Sequence, residues 1–406
     1  MAFFNPFRPS YVRDPYPALH RLRAEEPVHR AERIDAWIVT SYEACVEVLR
    51  DQERFSSDLG RARGRLGEQV AQQHREAVLG GGGRMVASDP PEHTRLRGIV
   101  TRAFTPRYVE GMRPFVEEEV GRLLAAATPG TPFELMSRLA EPLPSAVIAA
   151  HLGTPAEDRE RVVGWAIALM RTALIVGLPA AERRAAEEAR AALLDYIARF
   201  TAEGAGGGES LLARLAREQD EGRRLTADEL LELTIDLALA GNDTTANMIG
   251  NGVLALGAHP DQLALLRARP ELLGSAIEEV LRYDPPTQVV VRVATRNLRL
   301  GRAALAEGDT LLLMLGAANR DPAQFEDPDR FDVAREGAHR HLAFGLGVHF
   351  CLGAPLARVE GEAAFAALIA RFPDLRLAPG ATLPRANDWM MRSVREIPLD
   401  TGAPPA

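Results

Sequence analysis

Apolar residues recur three and four positions apart over most of this chain, the spacing of helices that bury one face. Between Pro106 and Ala150 they fall at Val109, Met112, Phe115, Val116, Val120, Leu123 and Leu124. Residues 156–203 predict two more helices, interrupted near Gly177-Leu178-Pro179. Ser41 is placed to cap a short helix over Tyr42 to Leu49, with Glu43 and Glu47 outward. Thr226 with Glu229 three residues on is a capping box. It opens a helix expected to continue to Gly257, roughly 30 residues or about 45 Å. That helix is apolar nearly all round, which predicts a central, buried position. A last strong helix covers 354–370. Strands are fewer: Trp37-Ile38-Val39-Thr40, Leu298–Leu300, Thr310–Leu315 and the run after Pro286, with a hairpin from Leu383 to Leu399. Residues 52–88 are irregular and include Gly80 to Gly83; a loop of this length is functional or disordered.

Chemistry-bearing residues interrupt these patterns at four places. Gly241, Asn242, Asp243, Thr244 and Thr245 are poor helix formers in the middle of the central helix, and burying them costs energy unless they are partnered. Either local back-bonding satisfies a kink there, or the helix opens a groove for small molecules. In Asp89-Pro90-Pro91-Glu92-His93-Thr94-Arg95-Leu96-Arg97, paired prolines start a helix and His93 and Arg97, at i and i+4, share a face. Glu279 and Arg282 stand at i and i+3 before Asp284-Pro285-Pro286; taken alone this is a surface ion pair of little worth. The fourth place is His341 to Gly353, where Cys351 sits among glycines just before the last helix. Such a cysteine is a buried small hydrophobe, a nucleophile or a one-thiolate metal ligand. Gly345, Gly347 and Gly353 let the backbone pass close to a bulky group and aim N–H groups at the sulfur. The helix that follows presents its positive end. Cys45, flanked by Val46 and Val48, reads as inert core.

Composition narrows the class. At 406 residues the chain is long enough for one large domain or two average ones. Forty-eight Lys and Arg against 56 Asp and Glu give a net charge of −8, which argues against a nucleic-acid binder. Two cysteines exclude a disulfide scaffold and are expected to stay reduced in a cytosol. No apolar run approaches about 18 residues and the first residues lack a basic start with an apolar core, so a cytoplasmic protein without a membrane anchor is expected. No Gly-x-Gly-x-x-Gly follows a strand, which leaves no sign of a built-in flavin module.

Phe344-Gly345-x-Gly347-x-His349-x-Cys351-Leu352-Gly353 resembles the haem-binding signature of the cytochrome P-450 superfamily. Ala240-Gly241-x-Asp243-Thr244-Thr245, Glu279-x-x-Arg282, the Asp89–Arg97 stretch and the coil with Arg320, Phe325, Arg330 and Phe331 are family-like too, and they stand in the family's order. The resemblance therefore covers essentially the whole chain. It implies a mainly α fold in a single domain, 1–406. A smaller β-rich lobe would come from about 1–60, 285–315 and 380–400, with haem b between the central helix and the cysteine loop. Cys351 becomes the iron ligand, with Phe344 beside the sulfur and Gly345 and Gly353 in the loop. His93, Arg97, Arg292 and His349 become partners of the haem propionates. Ala240 and Gly241 leave room above the iron, and the Thr244 hydroxyl and the Asp243 acid relay protons. Glu279 with Arg282 is implied to be buried, locking the coil before the cysteine loop, a structural role in haem retention.

The implied activity is that of a soluble bacterial haem-thiolate monooxygenase that hydroxylates or epoxidises its substrate. It would use dioxygen and two electrons from a separate ferredoxin or flavodoxin with its NAD(P)H reductase. The alternative within the family is peroxide-driven oxygenation, or non-oxygenating oxidative coupling during natural-product assembly. A haem sensor without turnover is expected to lack Thr244 or its acidic neighbour. Candidate pocket residues are Met85 and Val86, then Trp165, Met170 and Leu174 as either core or a mobile roof. Ala240, Val289 and Val290 follow, with Met390 and Met391 as either core or one pocket wall. They include no charged anchor, so the expected guest is a hydrophobic terpenoid, steroid, fatty acid or macrolide-like molecule. A monomer is expected.

Overall fold

The computed structural model describes residues 4–400 except 66, 70–71, 73–77, 79–84, 103, 126, 129, 175–178, 203–210, 213–214, 216–224, 373–374 and 387, and except the side chains of 170, 173–174, 200–202 and 227. Its strands, in chain order, are β1 (Val28–Ala31), β2 (Ala36–Val39), β3 (Phe55–Ser56), β4 (Phe133–Glu134), β5 (Val289–Ala294), β6 (Leu298–Leu300), β7 (Ala303–Leu305), β8 (Thr310–Met314) and β9 (Pro398–Leu399). Five form one sheet in the order β1-β2-β8-β5-β3, in which only β2 and β8 run parallel. Pairing of β5 with β8 sets Val290 opposite Leu313 and Arg292 opposite Leu311. Because side chains alternate across a strand, Val289 faces away from Val290 and packs in a core with Ile38, Leu312 and Met314. The predicted hairpin at 383–399 is reduced to a bridge between Arg385 and Val394, after which β9 leaves to pair with β4.

The helices that frame the site are α1 (Tyr42–Arg50), α2 (Glu92–Thr101), α3 (Arg113–Leu124), α4 (Pro142–Leu152), α5 (Arg159–Leu174), α6 (Ala180–Ala202), α7 (Ala227–Ala240), α8 (Asn242–Ala258), α9 (Leu273–Tyr283) and α10 (Ala354–Arg371). The predicted capping box starts α7: Thr226 Oγ1 accepts from the Glu229 N–H at 3.1 Å, and Glu229 Oε2 accepts from the Thr226 N–H at 2.7 Å. The long central helix is divided by a turn at Gly241, which separates α7 from α8. Ser41 stands at the N-cap of α1 without capping it through its side chain. Asp321 Oδ2 from a distant coil instead accepts from the Tyr42 N–H at 2.8 Å.

The larger helical core packs α8 against α3, α4, α9 and α10 through residues such as Val116, Leu143, Ile249, Ile277 and Leu368. Each such side chain contributes about 1.5–3 kcal/mol by leaving water. Close approach of α8 and α10 requires Gly252, where a Cβ would come within 2.3 Å of the Phe365 ring. A second core joins α2, α5, α6 and α7 through Leu96, Leu169, Leu193 and Ile235. No helix among the described residues is long and apolar enough to cross a membrane.

Candidate active site

A cavity of about 380 Å³ lies where the α7–α8 break faces the loop that precedes α10. The loop is built by its backbone. Gly345 and Gly347 adopt positive φ of 68° and 74°, and the Cys351 N–H donates to the Phe344 carbonyl at 2.8 Å. At Gly347 any Cβ would meet the Leu49 carbonyl oxygen at 2.5 Å, so the end of α1 lies against the loop and only glycine fits. Cys351 lines the cavity and is accessible from it. Burial of the sulfur by surrounding protein pushes its thiol up. The backbone N–H groups of Gly353 and Ala354 and the charges of Arg97 and Arg358 pull it down. The second cysteine, Cys45, is fully buried in the core under β2 and β8, and burial raises its thiol strongly.

One edge of the cavity gathers nitrogen donors from three elements: His93 and Arg97 from α2, Arg292 from β5 and His349 from the loop. The rings of His93 and His349 lie 4.0 Å apart. Both ring nitrogens of His93 and Nε2 of His349 have no hydrogen-bond partner among the described residues. Burial, followed by the positive charges of His93, Arg292 and Arg97, holds His349 down to about 3. Burial lowers Arg292 to about 10, with Asp89 opposing the shift. Arg97 donates from Nη2 to the Phe350 carbonyl at 2.6 Å. Clustered cationic groups with unmet buried nitrogens call for anionic acceptors. A flat macrocycle bearing two carboxylates would meet that requirement, and Cys351 in the same cavity would supply a thiolate to its metal, so these residues fit a thiolate-ligated haem.

Above the cysteine, Ala240, Gly241, Thr244 and Thr245 line the cavity. Thr244 donates its hydroxyl to the Ala240 carbonyl at 2.8 Å, a bond back over one turn at the helix break. Asp243 is exposed and is not part of the lining; its carboxyl, raised by desolvation, lies near enough to Glu141 to raise that group as well.

The pocket expectations divide. Met85, Val86, Ala240 and Val290 line the cavity. Val289 does not, because it is on the opposite face of β5. Met390 packs with Phe4 and Tyr11 near the sheet, and Met391 bridges to Thr287, so neither reaches the cavity. Trp165 packs between α5 and α6, 6.1 Å from the Tyr196 ring and under Arg161. The side chains of Met170 and Leu174 lie outside the described residues.

The sequence reading assigned no role in the site to three acidic residues. Asp236, only 4% exposed, lines the cavity one helical turn before Ala240. Glu360 of α10 also lines it, and burial raises its carboxyl to about 8. Glu278 lies behind Phe344. Burial alone would raise it, but hydrogen bonds from His341 and Arg358 hold it at about 2. The Arg358 guanidinium in turn lies 4.7 Å over the Phe344 ring.

Glu279 and Arg282 are fully buried, as the resemblance implies and unlike the surface pair that their spacing alone suggests. Arg282 gives Nε and Nη2 to the carboxylate at 2.6 and 2.8 Å and caps the carbonyls of Asn319, Pro328 and Arg330. Asn319 Oδ1 then accepts from the Leu342 N–H at 2.6 Å, and the Leu342 carbonyl accepts from the Gly345 N–H at 2.8 Å. The pair is thereby connected, bond by bond, to the cysteine loop.

A family model described as Cytochrome P450 matches residues 264–399. Cytochrome P450 monooxygenase PikC of Streptomyces venezuelae is 43% identical over 399 residues, covering 96% of this chain and 91% of that protein. The 6-deoxyerythronolide B hydroxylase of Saccharopolyspora erythraea is 39% identical over 404 residues, covering 96% of each. Among solved structures, that of CalO2 superposes with a TM-score of 0.86 at 34% identity, covering 99% of this chain and 100% of that one.

Proposed function

This chain belongs to the cytochrome P450 family, is an oxidoreductase with haem b as cofactor, and on that premise we propose that it hydroxylates or epoxidises a medium-sized, largely apolar molecule of macrolide-like, steroid, terpenoid or fatty-acid type. The carrying observation is the opposition, across one cavity, of a lone cysteine and a threonine at a helix break. When bound, haem supplies the activation of dioxygen, favoured by electron donation from a thiolate.

The chain's own residues supply the rest. N–H groups of Gly353 and Ala354 and the charge of Arg97 stabilise Cys351 as thiolate. His93, Arg97, Arg292 and His349 would hold the two haem carboxylates, the arginines as permanently charged N–H donors. Thr244 keeps its proton on the Ala240 carbonyl; a rotation about χ1 turns the same hydroxyl into the cavity as a donor. Asp243, on the outer side with a raised carboxyl, is placed to return protons from solvent. Met85, Leu237 and Val290 exclude water and seat the substrate. Two electrons come from a separate ferredoxin or flavodoxin with its NAD(P)H reductase, docked on the face nearest Cys351.

Haem-loaded protein is expected to give the carbon-monoxide absorption of thiolate ligation, and Cys351→Ala to lose it. Turnover with isotopically labelled dioxygen, a surrogate ferredoxin and its reductase should place one labelled atom in the product. Unlabelled product, or product formed without the reductase, would replace oxygen insertion from dioxygen by the coupling or peroxide-driven alternative.

A further inference from the structure

We propose that Glu278 is a positioning residue for electron uptake: by holding Arg358 over Phe344 it sets how much positive charge the cysteine loop feels, and so how readily the haem is reduced. This rests on the monooxygenase reading above and adds a control on the reducing side of the same site. Reduction by one electron, supplied by the ferredoxin or flavodoxin, makes the haem–thiolate unit one charge more negative. A positive charge beside it therefore favours the reduced form, and a negative charge opposes it.

Two helices bring the pair together. Glu278 is on α9, next to the buried Glu279, and Arg358 is in the second turn of α10, the helix that opens just after Cys351. The carboxylate accepts from Arg358 Nε at 2.5 Å and from its Nη2 at 3.1 Å, a two-pronged pairing that fixes the guanidinium. His341 holds the same carboxylate. Its Nδ1 accepts from the Ala343 N–H at 3.1 Å, which leaves Nε2 as the protonated nitrogen, 3.3 Å from Glu278 Oε2. Burial acts to raise the Glu278 carboxyl, but the bonds from His341 and Arg358 outweigh it, so the group is ionised.

So held, the Arg358 guanidinium lies 4.7 Å from the centre of the Phe344 ring. The Phe344 carbonyl accepts from the Cys351 N–H at 2.8 Å, and both residues line the cavity. The member of the pair that lies on Phe344 is the positive one, and the carboxylate bound to it offsets part of its field. His341 packs 5.5 Å from the same ring, centre to centre, as a neutral group. The side chain of Arg358 is 33% exposed and that of Glu278 13%, so solvent screens the arginine more than the carboxylate that opposes it. Charge at this point of the loop is therefore set by a balance of two groups, and removing either one tips it in a known direction.

The test is a spectroelectrochemical titration of haem-loaded, substrate-free protein. Glu278→Gln keeps the size of the side chain and leaves the arginine unopposed. The potential should rise, with the reduction equilibrium moving about fivefold or more, which is about 40 mV for one electron. Arg358→Gln should move it the other way, and the double variant should fall between the two single ones. Arg358→Lys keeps the charge and loses the fork, and should stay within about twofold of wild type. All four should keep the carbon-monoxide band of thiolate ligation. Shifts of the same sign in the two single variants, or no shift in either, overturn the proposal. Loss of haem or of that band in either single variant also overturns it, in favour of a role in shaping the loop. The band separates the two levels: its absence in wild type defeats the haem-thiolate reading, whereas its presence without opposed shifts defeats only the charge control.

Discussion

Glu279→Ala removes a carboxylate that has no exposed surface and leaves behind an arginine that has none either. Arg282 would keep the carbonyls of Asn319, Pro328 and Arg330 at 3.0, 2.7 and 3.1 Å, but these are neutral dipoles. It would lose two charge-assisted bonds, and the Asp332 N–H and Arg335 Nε would lose the same acceptor. Removing one partner of a buried ion pair costs about 3–5 kcal/mol, because the survivor stays desolvated and unpaired. Unfolding entropy near 2.1 cal/mol/K per residue gives a chain of this length roughly 0.85 kcal/mol/K, so the melting temperature should fall by about 4–6 °C. The loss also travels along Asn319 to the Leu342 N–H and so to the Cys351 loop, which adds a fall in haem content per protein. Circular dichroism melts and the ratio of Soret to protein absorbance measure both. The double substitution Glu279→Leu with Arg282→Met removes both charges and should recover at least half of the lost stability. A single variant that melts within about 1 °C of wild type, or a double variant as labile as the single, would show that the pair is not the support described.

Alternation along β5 separates two neighbours: Val290→Phe should alter Soret-shift affinities with little effect on melting, whereas Val289→Phe should overpack the core and cost about 1–3 kcal/mol with unchanged ligand affinity. Thr244→Ala should keep haem and carbon-monoxide spectra but divert reducing equivalents from product to released peroxide, measured as product per NAD(P)H consumed, because the cavity loses the hydroxyl that Thr244 holds at the helix break. Glu360, raised by burial to about 8 from an ordinary 4.5, is protonated when folded and ionised when unfolded over that interval. Its contribution is fully present below pH 4.5 and is lost as pH rises through 8, at up to about 1.4 kcal/mol per pH unit. Glu360→Gln should therefore gain stability over wild type on going from mildly acid to mildly alkaline solution, and parallel melting curves for the two proteins across that range would refute the assignment.

What could be read from the chain was what local physics determines. The Thr226–Glu229 box reports its own partners, three residues apart, and it starts α7 as expected. Cys351 among glycines, with a helix to follow, announces a loop that must pass close to something large, and the cavity lies there. Where a distant group decides, local reading fails. Ser41 is a good cap by composition, yet Asp321, brought in by the coil after β8, takes the Tyr42 N–H. Glu279 and Arg282 have the spacing of a solvated pair, and only the coil from Asn319 to Arg330 wrapping over them makes them buried.

Two further discrepancies were within reach of the pattern itself. Naming both Val289 and Val290 as pocket residues ignored the period of two, since a strand cannot present adjacent side chains to one cavity. Assigning an uncharged pocket overlooked the helical period. Residues 236, 240 and 244 form a face that includes the very threonine taken as functional, so an acid at 236 had to share its outlook. Helical phase, counted backwards from the one residue whose orientation chemistry determines, converts Asp236 from an unremarked polar position in an apolar helix into an acidic residue of the cavity wall. The same count leaves Asp243 out: one residue from Thr244 is a rotation of about 100°, which turns its carboxyl away from the cavity and toward Glu141. Adjacent acid and alcohol therefore work from different sides of the helix, and protons must pass around the break at Gly241 for the two to cooperate.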